Sequence, residues 1–209
     1  MWQHCSRATI LNNSIQDELF WQLNRTVQIL EQLNVDYAIQ YGTLIGALRD
    51  QNINFHEVDN DISVNKHKFI LTSDVRRLFH NSGLHIFNYG IYRVCRFNQY
   101  LNGSKNPPFD RKSRKYFPYT DLYPFELNPF TDWGSGYKCR GKWSVQKVNV
   151  RNIKVNAPNS NLANQILNKR YGDWHTPKYD DRPAEKWKKL ESQTWSKRKR
   201  QSRKRKMTY

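Results

Sequence analysis

The sequence predicts an α+β fold, in which a small mixed β-sheet is flanked by helices and a disordered basic tail follows. An amphipathic helix pattern, several short strand patterns between Gly- and Asn-containing turns, and a terminal run of charge support this class. The chain has 209 residues, of which 37% are hydrophobic and 14% aromatic. That length and composition suit one medium domain with appendages and argue against full disorder.

The first element is an amphipathic helix predicted over Ser14 to Leu33. Its apolar residues recur in steps of four and three, which places them on one face. They are Ile15, Leu19, Leu23, Val27, Leu30 and Leu33. Ser14 suits the N-cap, Asp17 the first turn and Asn34 the stop.

Two strands with a turn between them come next. The first is predicted over Val35 to Tyr41 and is broken by Gly42-Thr43, after which Leu44 to Arg49 forms a helical turn. The second, Val58 to Val64, alternates but carries acidic and amide residues among the apolar ones. Polar side chains on a strand need partners, and metal ligation supplies them.

The later elements are short. In order they are a helix (Ser73–Asn81), a hairpin (Leu84–Phe87 and Tyr92–Phe97), a basic surface loop (Asn102–Lys115), a strand (Tyr119–Phe125), two extended pieces (within Lys142–Val155) and a helix (Asn161–Arg170). Gly83 follows the first of these helices, and Gly172 ends the last one.

The net charge of +17 is divided between the domain and the C-terminus. The run from Lys197 to Lys206, KRKRQSRKRK, holds eight basic residues and no acid, so removing its charge from the 17 leaves +9. We expect an N-terminal extension over 1–13, a domain over 14–178 and a charged segment over 179–209, disordered from about residue 193. This balance favours polyanionic partners, from phosphorylated donors to nucleic acid.

The sequence says little about the compartment. It contains no run of about 18 apolar residues, so we expect no transmembrane segment. Met1 to Cys5 lacks the apolar stretch of a signal peptide, so we expect a cytoplasmic protein unless a leader or anchor is missing. The three cysteines, Cys5, Cys95 and Cys139, are widely spaced and odd in number, which indicates neither a disulfide framework nor a zinc site.

Acidic residues at two places indicate the chemistry. Asp59 and Asp61 lie two apart on a predicted strand, so their side chains point to the same face. Two such carboxylates repel each other unless a cation lies between them, and oxygen ligands suit Mg²⁺ or Mn²⁺. Asp121, on another strand, is either a further ligand or a general base for an attacking hydroxyl.

The turn before these acids suits a phosphate. Gly42 allows close approach of the backbone, and N–H groups at the start of the following helix can hold an anion. Thr43 adds a hydroxyl donor, and Arg49 lies about two turns later, where its charge could neutralise a phosphate. These residues and the acids together indicate a metal-dependent transferase acting on a phosphate ester.

Each feature alone also has an ordinary explanation. Most Asp-x-Asp pairs are solvated loop residues, and a Gly-Thr after a strand is usually just a turn. An Asp within an apolar strand is often satisfied by a backbone N–H or by an Arg. The ordered set of three, each with a suitable local structure, is far more specific.

The sequence resembles the LicD/fukutin family over roughly Asp36 to Pro177. Tyr41 to Arg49, YGTLIGALR, is similar to the family segment Y/C-G-T-L-L-G-x-x-R, and Asp121 to Phe125 is similar to D-[IL]-[FYW]-P-[LF]. The late V-x-x-P … Y-G-D-W pattern is matched by Val155 to Pro158 followed by Arg170 to Trp174.

The acidic segment departs from the family pattern. The proline of the family's I-P-W/Y segment is replaced by Asn54. Where many members carry three or four acids, this chain has His56, Glu57, Asp59 and Asp61, with one extra residue. The resemblance therefore implies the Asp-x-Asp pair but leaves the full set of ligands open.

The resemblance implies a LicD-like catalytic domain with a nucleotidyltransferase-like core. Its reaction is transfer of a phosphorylated alcohol, such as phosphocholine or ribitol phosphate, from a CDP-linked donor to a glycan or glycoconjugate hydroxyl. The implied metal ligands and catalytic residues are Asp59, Asp61 and Asp121, with Mg²⁺ or Mn²⁺. The implied substrate-binding residues are Gly42, Thr43, Arg49, Tyr171 and Gly172. For Gly172, termination of a helix is an equal alternative.

Family members in eukaryotes often work in the secretory pathway, so the Golgi is the expected compartment if an anchor is missing. Two other functions remain open. One is nucleic-acid binding, in the nucleus or elsewhere, through the basic tail and the loop from Lys105 to Lys115. The other is a catalytically inactive LicD-like relative that serves as a binding module.

Overall fold

A five-stranded mixed sheet forms the centre of the computed structural model. Its strands are β1 (Tyr37–Ile39), β2 (Asp59–Asn65), β3 (Leu84–Asn88), β4 (Tyr92–Arg96) and β5 (Tyr119–Phe125). Their spatial order is β1-β2-β5-β4-β3. β2 and β5 pair in parallel, and the other neighbours pair antiparallel. The α+β class with a small mixed sheet is therefore confirmed.

The chain also contains helices and two small two-stranded hairpins that are separate from this sheet. The helices are α1 (Ile15–Gln32), α2 (Tyr41–Ile45), a π-helical turn (Gly46–Asp50), α3 (Ser73–Asn81) and α4 (Ser160–Tyr171). The hairpins pair β6 (Thr131–Asp132) with β7 (Tyr137–Lys138) and β8 (Val145–Val150) with β9 (Ile153–Pro158). The bounds predicted for α3 and β5 are confirmed, as are the two extended pieces near residue 150.

The structure describes residues 15–55, 57, 59–88, 90–97, 118–126, 131–132, 137–138 and 144–176. Several predictions lie outside these residues: the extension over 1–13, the Ser14 cap, the loop over 102–115, and the charged segment over 179–209 with its basic tail. Within the described part of the chain, no helix is both long and apolar enough to cross a membrane.

Helix α1 covers one face of the sheet, where it packs against β2, β4 and β5. Four residues of the predicted apolar stripe are buried there: Leu19, Leu23 and Leu30, which are fully inaccessible to solvent, and Val27. Leu33 is partly buried. The chain leaves the helix at Asn34, whose φ of 51° confirms the predicted stop.

Alternation along β2 decides which side chains face this helix. The Asn60 amide donates to the backbone oxygen of Leu19 in α1 at 2.8 Å, so Asn60 lies on the helix-covered face. Ile62 and Val64 follow it into the core. Because successive side chains of a strand point to opposite faces, Asp59 and Asp61 lie on the other face.

The segment after β1 differs from the prediction. The strand ends at Ile39, and Tyr41 already belongs to α2. The residue with left-handed backbone geometry is Tyr41, with a φ of 50°, and not Gly42. Gly46 has a packing reason, because a Cβ there would lie 2.5 Å from the Asn52 backbone oxygen and the Asn54 backbone nitrogen.

The expectation for cysteine was wrong at one position. Cys95, on β4, is buried and disulfide-bonded. Cysteine count and spacing do not predict this bond, because two cysteines pair only when the folded chain brings them together.

Candidate active site

Asp59, Asp61 and Asp121 lie on one face of the central sheet. β2 and β5 pair in parallel so that Asp59 stands opposite Tyr119 and Asp61 opposite Asp121. Side chains of paired residues share a face, so the three carboxylates lie on the same face of two neighbouring strands. Asp61 is 7% exposed and Asp121 is 3% exposed, so two of these charges are held away from water.

The carboxylates interact electrostatically. Burial raises the pKa of Asp61 well above its usual value, and the charges of Asp59, Glu57 and Asp121 raise it further. Burial also raises the pKa of Asp59, opposed by the Tyr119 hydroxyl, and the Asp121 charge adds to the rise. Like charges held this close favour a bound cation, which removes the repulsion.

Two tyrosines of β5 hold the acids of β2. The Tyr123 hydroxyl donates to Asp61 Oδ1 at 3.0 Å. The Tyr119 hydroxyl hydrogen-bonds to Asp59 and opposes the rise in its pKa. Both tyrosines point to the same face as Asp121, because the three residues alternate along the strand.

Arg93, on β4, binds Asp121 through two hydrogen bonds. Its Nε donates to Oδ1 at 2.7 Å and its second terminal nitrogen donates to Oδ2 at 2.8 Å. The guanidinium also lies over the Tyr119 ring, 3.8 Å from its centroid. Asp121 thus has the arginine partner that is an ordinary explanation for an aspartate within a strand. A carboxylate has about four lone-pair sites, so both Asp121 oxygens can still accept a cation.

Glu57 joins the cluster through the space that Gly42 leaves. A Cβ at Gly42 would lie 2.0 Å from Glu57 Oε1, so any other residue there displaces the carboxylate. Burial raises the pKa of Glu57 to about 7, and the Asp59 charge contributes. Gly42 thus admits a fourth carboxylate, which differs from the close approach to a phosphate that the sequence suggests.

The start of α2 is tied to β2 on both sides of Asp61. The Asp61 backbone N–H donates to Thr43 Oγ1 at 2.9 Å. The Gln40 backbone N–H donates to the Asp61 backbone oxygen at 2.8 Å. In this structure Thr43 therefore positions Asp61, and its predicted contact with a phosphate stays a prediction.

Arg49 is engaged away from these acids. Its guanidinium donates two hydrogen bonds to the carboxylate of the adjacent Asp50, at 2.8 and 2.7 Å. The end of the π-helical turn thus carries a neutralised pair. Neutralisation of a phosphate by Arg49 stays a prediction that needs this pair to open.

The C-terminus of α4 comes close to the cluster at Tyr171. Burial raises the pKa of Tyr171; the Arg170 charge lowers it, and the charges of Asp61 and Glu57 raise it. Gly172 has a φ of 68° and donates its N–H to the Asn168 oxygen at 2.9 Å, which fits a helix terminator. Tyr171 is therefore the predicted late residue that lies near the acids.

The donor set fits a hard divalent ion at the Asp pair. Asp59 and Asp61 offer carboxylate oxygens from one face of a strand, and Mg²⁺ commonly takes one or two protein carboxylates, with water and phosphate oxygens completing its shell. Among the described residues, no group of three or more His, Cys, Asp or Glu side chains is close enough to hold a metal. A Mg²⁺ or Mn²⁺ ion at the Asp59/Asp61 pair therefore stays a prediction, as does ligation by Asp121.

Four residues of this site have no role predicted from the sequence: Glu57, Arg93, Tyr119 and Tyr123. Glu57 falls in the acidic segment but has no assigned role there. The tyrosines carry a usable signal, because Tyr119, Asp121 and Tyr123 alternate and must share a face. Arg93 carries no such signal, since its place beside Asp121 depends on the order of the strands.

Comparison with known proteins gives a family, a relative and a solved structure. The family model described as LicD/FKTN/FKRP, nucleotidyltransferase domain, matches residues 34–160, more than half of the chain. An uncharacterized protein of Rickettsia typhi is 24% identical over 164 residues, which cover 75% of this chain and 46% of that protein. The chain thus spans about half the length of this relative.

A crystal structure of the lincosamide antibiotic adenylyltransferase LnuA, with lincomycin bound, is also similar. It matches 70% of this chain and 82% of its own, with 20% sequence identity and a TM-score of 0.40. A TM-score of this size carries no argument about the fold or the function.

Proposed function

The chain belongs to the LicD/FKTN/FKRP nucleotidyltransferase-domain family, and on that premise we propose that it is a metal-dependent transferase of phosphorylated alcohols. Family membership implies a transferase of this general kind. The donor we propose is CDP-linked and carries a phosphocholine- or ribitol-phosphate-like group. The acceptor is a hydroxyl of a glycan or glycoconjugate.

One observation carries this proposal: acids from two parallel strands meet on a single face. Asp61 stands opposite Asp121 in the register of β2 and β5, and Asp59 precedes Asp61 on the same face. Each carboxylate is stabilised by a neighbouring side chain: the Tyr123 hydroxyl donates to Asp61, and the Arg93 guanidinium donates to Asp121. Repulsion between these carboxylates destabilises the sheet, and a functional site is the usual reason for a protein to keep such an arrangement.

We assign the metal to Asp59 and Asp61, with Glu57 beside them. When bound, Mg²⁺ or Mn²⁺ would neutralise the negative charge of the diphosphate, including the charge that develops on the leaving phosphate. Tyr119 and Tyr123 orient the two aspartates. Asp121, fixed by Arg93, is either the third ligand or the acceptor of the proton from the attacking hydroxyl.

The reaction is a displacement at phosphorus. The acceptor oxygen forms a bond to the phosphorus that carries the alcohol, and the bond from that phosphorus to the CMP oxygen breaks. CMP leaves, and the hydroxyl proton passes to Asp121 or to water. The chain's contribution is to position the two substrates and to hold charge in place.

A screen of CDP-choline, CDP-ribitol and CDP-glycerol with Mg²⁺ or Mn²⁺, read as CMP release, tests this function. We expect metal-dependent release with one donor, and loss of release in Asp61→Asn. Asp74→Asn is the matched control, since Asp74 lies on α3 and its side chain is 77% exposed beside Arg77. Metal-dependent CDP binding without any CMP release would identify a binding module instead.

A further inference from the structure

Arg170, in the last turn of α4, lies against the acidic site, and we propose that it binds the phosphate groups of the donor. This inference rests on the proposed function and adds a residue to it. The residue that the sequence predicts for phosphate contact is Arg49, whose guanidinium is paired with Asp50. Two independent sets of contacts connect Arg170 with the carboxylates.

The first set is aromatic. The guanidinium carbon of Arg170 lies 3.9 Å from the centroid of the Tyr41 ring. The rings of Tyr41 and Tyr123 form a T-shaped pair, with 5.6 Å between centroids and an interplanar angle of 89°. Tyr123 in turn donates its hydroxyl to Asp61. Arg170 is therefore two aromatic rings away from the carboxylate assigned to the metal.

The second set runs through Tyr171. The Tyr171 hydroxyl hydrogen-bonds with Arg170 and lies within electrostatic reach of Asp61 and Glu57. Tyr171 therefore interacts with both the guanidinium and the two acids.

The backbone at Tyr41 supports a functional reason for this stack. A bulky residue with a positive φ is strained, and Tyr41 has a φ of 50° while its side chain is 4% exposed. The strained position sets the ring under the guanidinium. Arg170 is exposed and stacked on this ring. Its planar guanidinium has the geometry that matches a phosphate.

The negative charge of the site favours a cationic residue near the donor phosphates. Glu57, Asp59, Asp61 and Asp121 gather on one side of the sheet and repel a donor diphosphate. Arg93 compensates one of these charges through Asp121. A bound divalent ion and Arg170 would supply the remaining positive charge on the substrate side.

The ordinary explanation of a cation at this place is the helix dipole. Lys169 and Arg170 both lie in the last turn of α4, where positive side chains interact favourably with the helix C-terminus. The dipole accounts for both charges equally, but it does not explain why Arg170 lies over the Tyr41 ring. Lys169→Gln is therefore a matched control that removes the same charge from the same helix turn.

Calorimetric titration of the full chain with CDP, and separately with inorganic pyrophosphate, in Mg²⁺ tests the proposal. We expect Arg170→Gln to weaken both by on the order of tenfold or more, because a charged hydrogen bond to phosphate is lost. Lys169→Gln should bind as the wild-type chain does. Arg170→Lys, which keeps the charge but loses the planar fork, should lie between them and serves if Arg170→Gln fails to fold.

The two probes separate this proposal from the proposed function. The wild-type chain could bind pyrophosphate and the Arg170→Gln variant fail to bind it, while no CDP-alcohol yields CMP. That result would support the Arg170 proposal and show that the proposed donor class is wrong. If CMP release occurs and Arg170→Gln binds both probes as tightly as Lys169→Gln, the Arg170 proposal is overturned and the function stands. A wild-type chain that binds neither probe overturns the Arg170 proposal.

Discussion

Asp61 on β2 and Asp121 on β5 stand opposite each other in a parallel register, on the face of the sheet that α1 leaves open. Each carboxylate has its own donor from the sheet, Tyr123 for Asp61 and Arg93 for Asp121. The fold thus stabilises two buried like charges separately and leaves their mutual repulsion to be relieved by a cation.

Removal of one carboxylate from the pair should abolish turnover without unfolding the chain. We expect Asp59→Asn or Asp61→Asn to lower CMP release by about 100-fold or more, since charge positioning is the main contribution to phosphoryl transfer. Thermal melts should show folded variants. CMP release at the wild-type rate from both variants, with Mg²⁺ present, is the contrary result.

Glu57 should make the metal-free chain less stable as the pH rises. Its pKa is raised to about 7 from an ordinary 4.5, so the folded chain holds a proton that the unfolded chain has lost between these values. The contribution of Glu57 to the free energy of unfolding is therefore fully present below pH 4.5 and is lost as the pH rises through about 7.

The comparison with Glu57→Gln isolates that effect, because the other titrating groups are shared. In EDTA near pH 8, we expect the variant to be more stable than wild-type by about 1 kcal/mol or more, with the difference vanishing in acid. Urea denaturation at both pH values measures it. Equal pH slopes for the two chains would show that Glu57 is not buried beside Asp59.

Gly42→Ala should separate stability from activity. The new Cβ would lie 2.0 Å from Glu57 Oε1, which is the free end of a side chain that can rotate away. We therefore expect a stability change of about 1 kcal/mol or less, with a much larger loss of metal-dependent CMP release. The double variant Gly42→Ala/Glu57→Ala relieves the clash and should melt as Glu57→Ala does. A further loss of stability on adding Gly42→Ala to Glu57→Ala would mean that the backbone, and not Glu57, limits this position.

Local patterns explain which parts of the fold the sequence predicts. The bounds of α3 follow from neighbouring residues, because the Thr72 side chain accepts a hydrogen bond from the Val75 N–H at its start and Gly83 follows its end. The Asp59/Asp61 pair is predictable for the same reason, since residues two apart on a strand must share a face. The left-handed backbone at Tyr41 contradicts the local rule that a glycine takes such a position.

The residues that the sequence misses depend on contacts between distant segments. Arg93 and Asp121 are 28 residues apart, and they meet because β4 is placed beside β5. Glu57 enters the cluster because Gly42, on another element, leaves room for its carboxylate. Neither contact can be read from spacing, because each requires the order of the strands and the packing of α2 on β2.

Arg93 should be coupled energetically to Asp121. Arg93→Met leaves a buried carboxylate without its partner, and we expect a loss of about 2–3 kcal/mol, below the value for a fully buried pair because Arg93 is partly exposed. Arg93→Met combined with Asp121→Asn should recover most of that loss. Urea denaturation of the two single variants and the double variant measures the coupling. Additive effects in this cycle would contradict the pairing.

Binding of Mn²⁺, followed by its electron paramagnetic resonance signal, tests the central claim that Asp59 and Asp61 share a divalent cation. We predict that the wild-type chain and the Asp74→Asn control bind Mn²⁺ and that Mg²⁺ competes for the same site. Asp59→Asn and Asp61→Asn should each lose this binding while remaining folded. Mn²⁺ affinity unchanged in the Asp59→Asn/Asp61→Asn double variant would contradict the account.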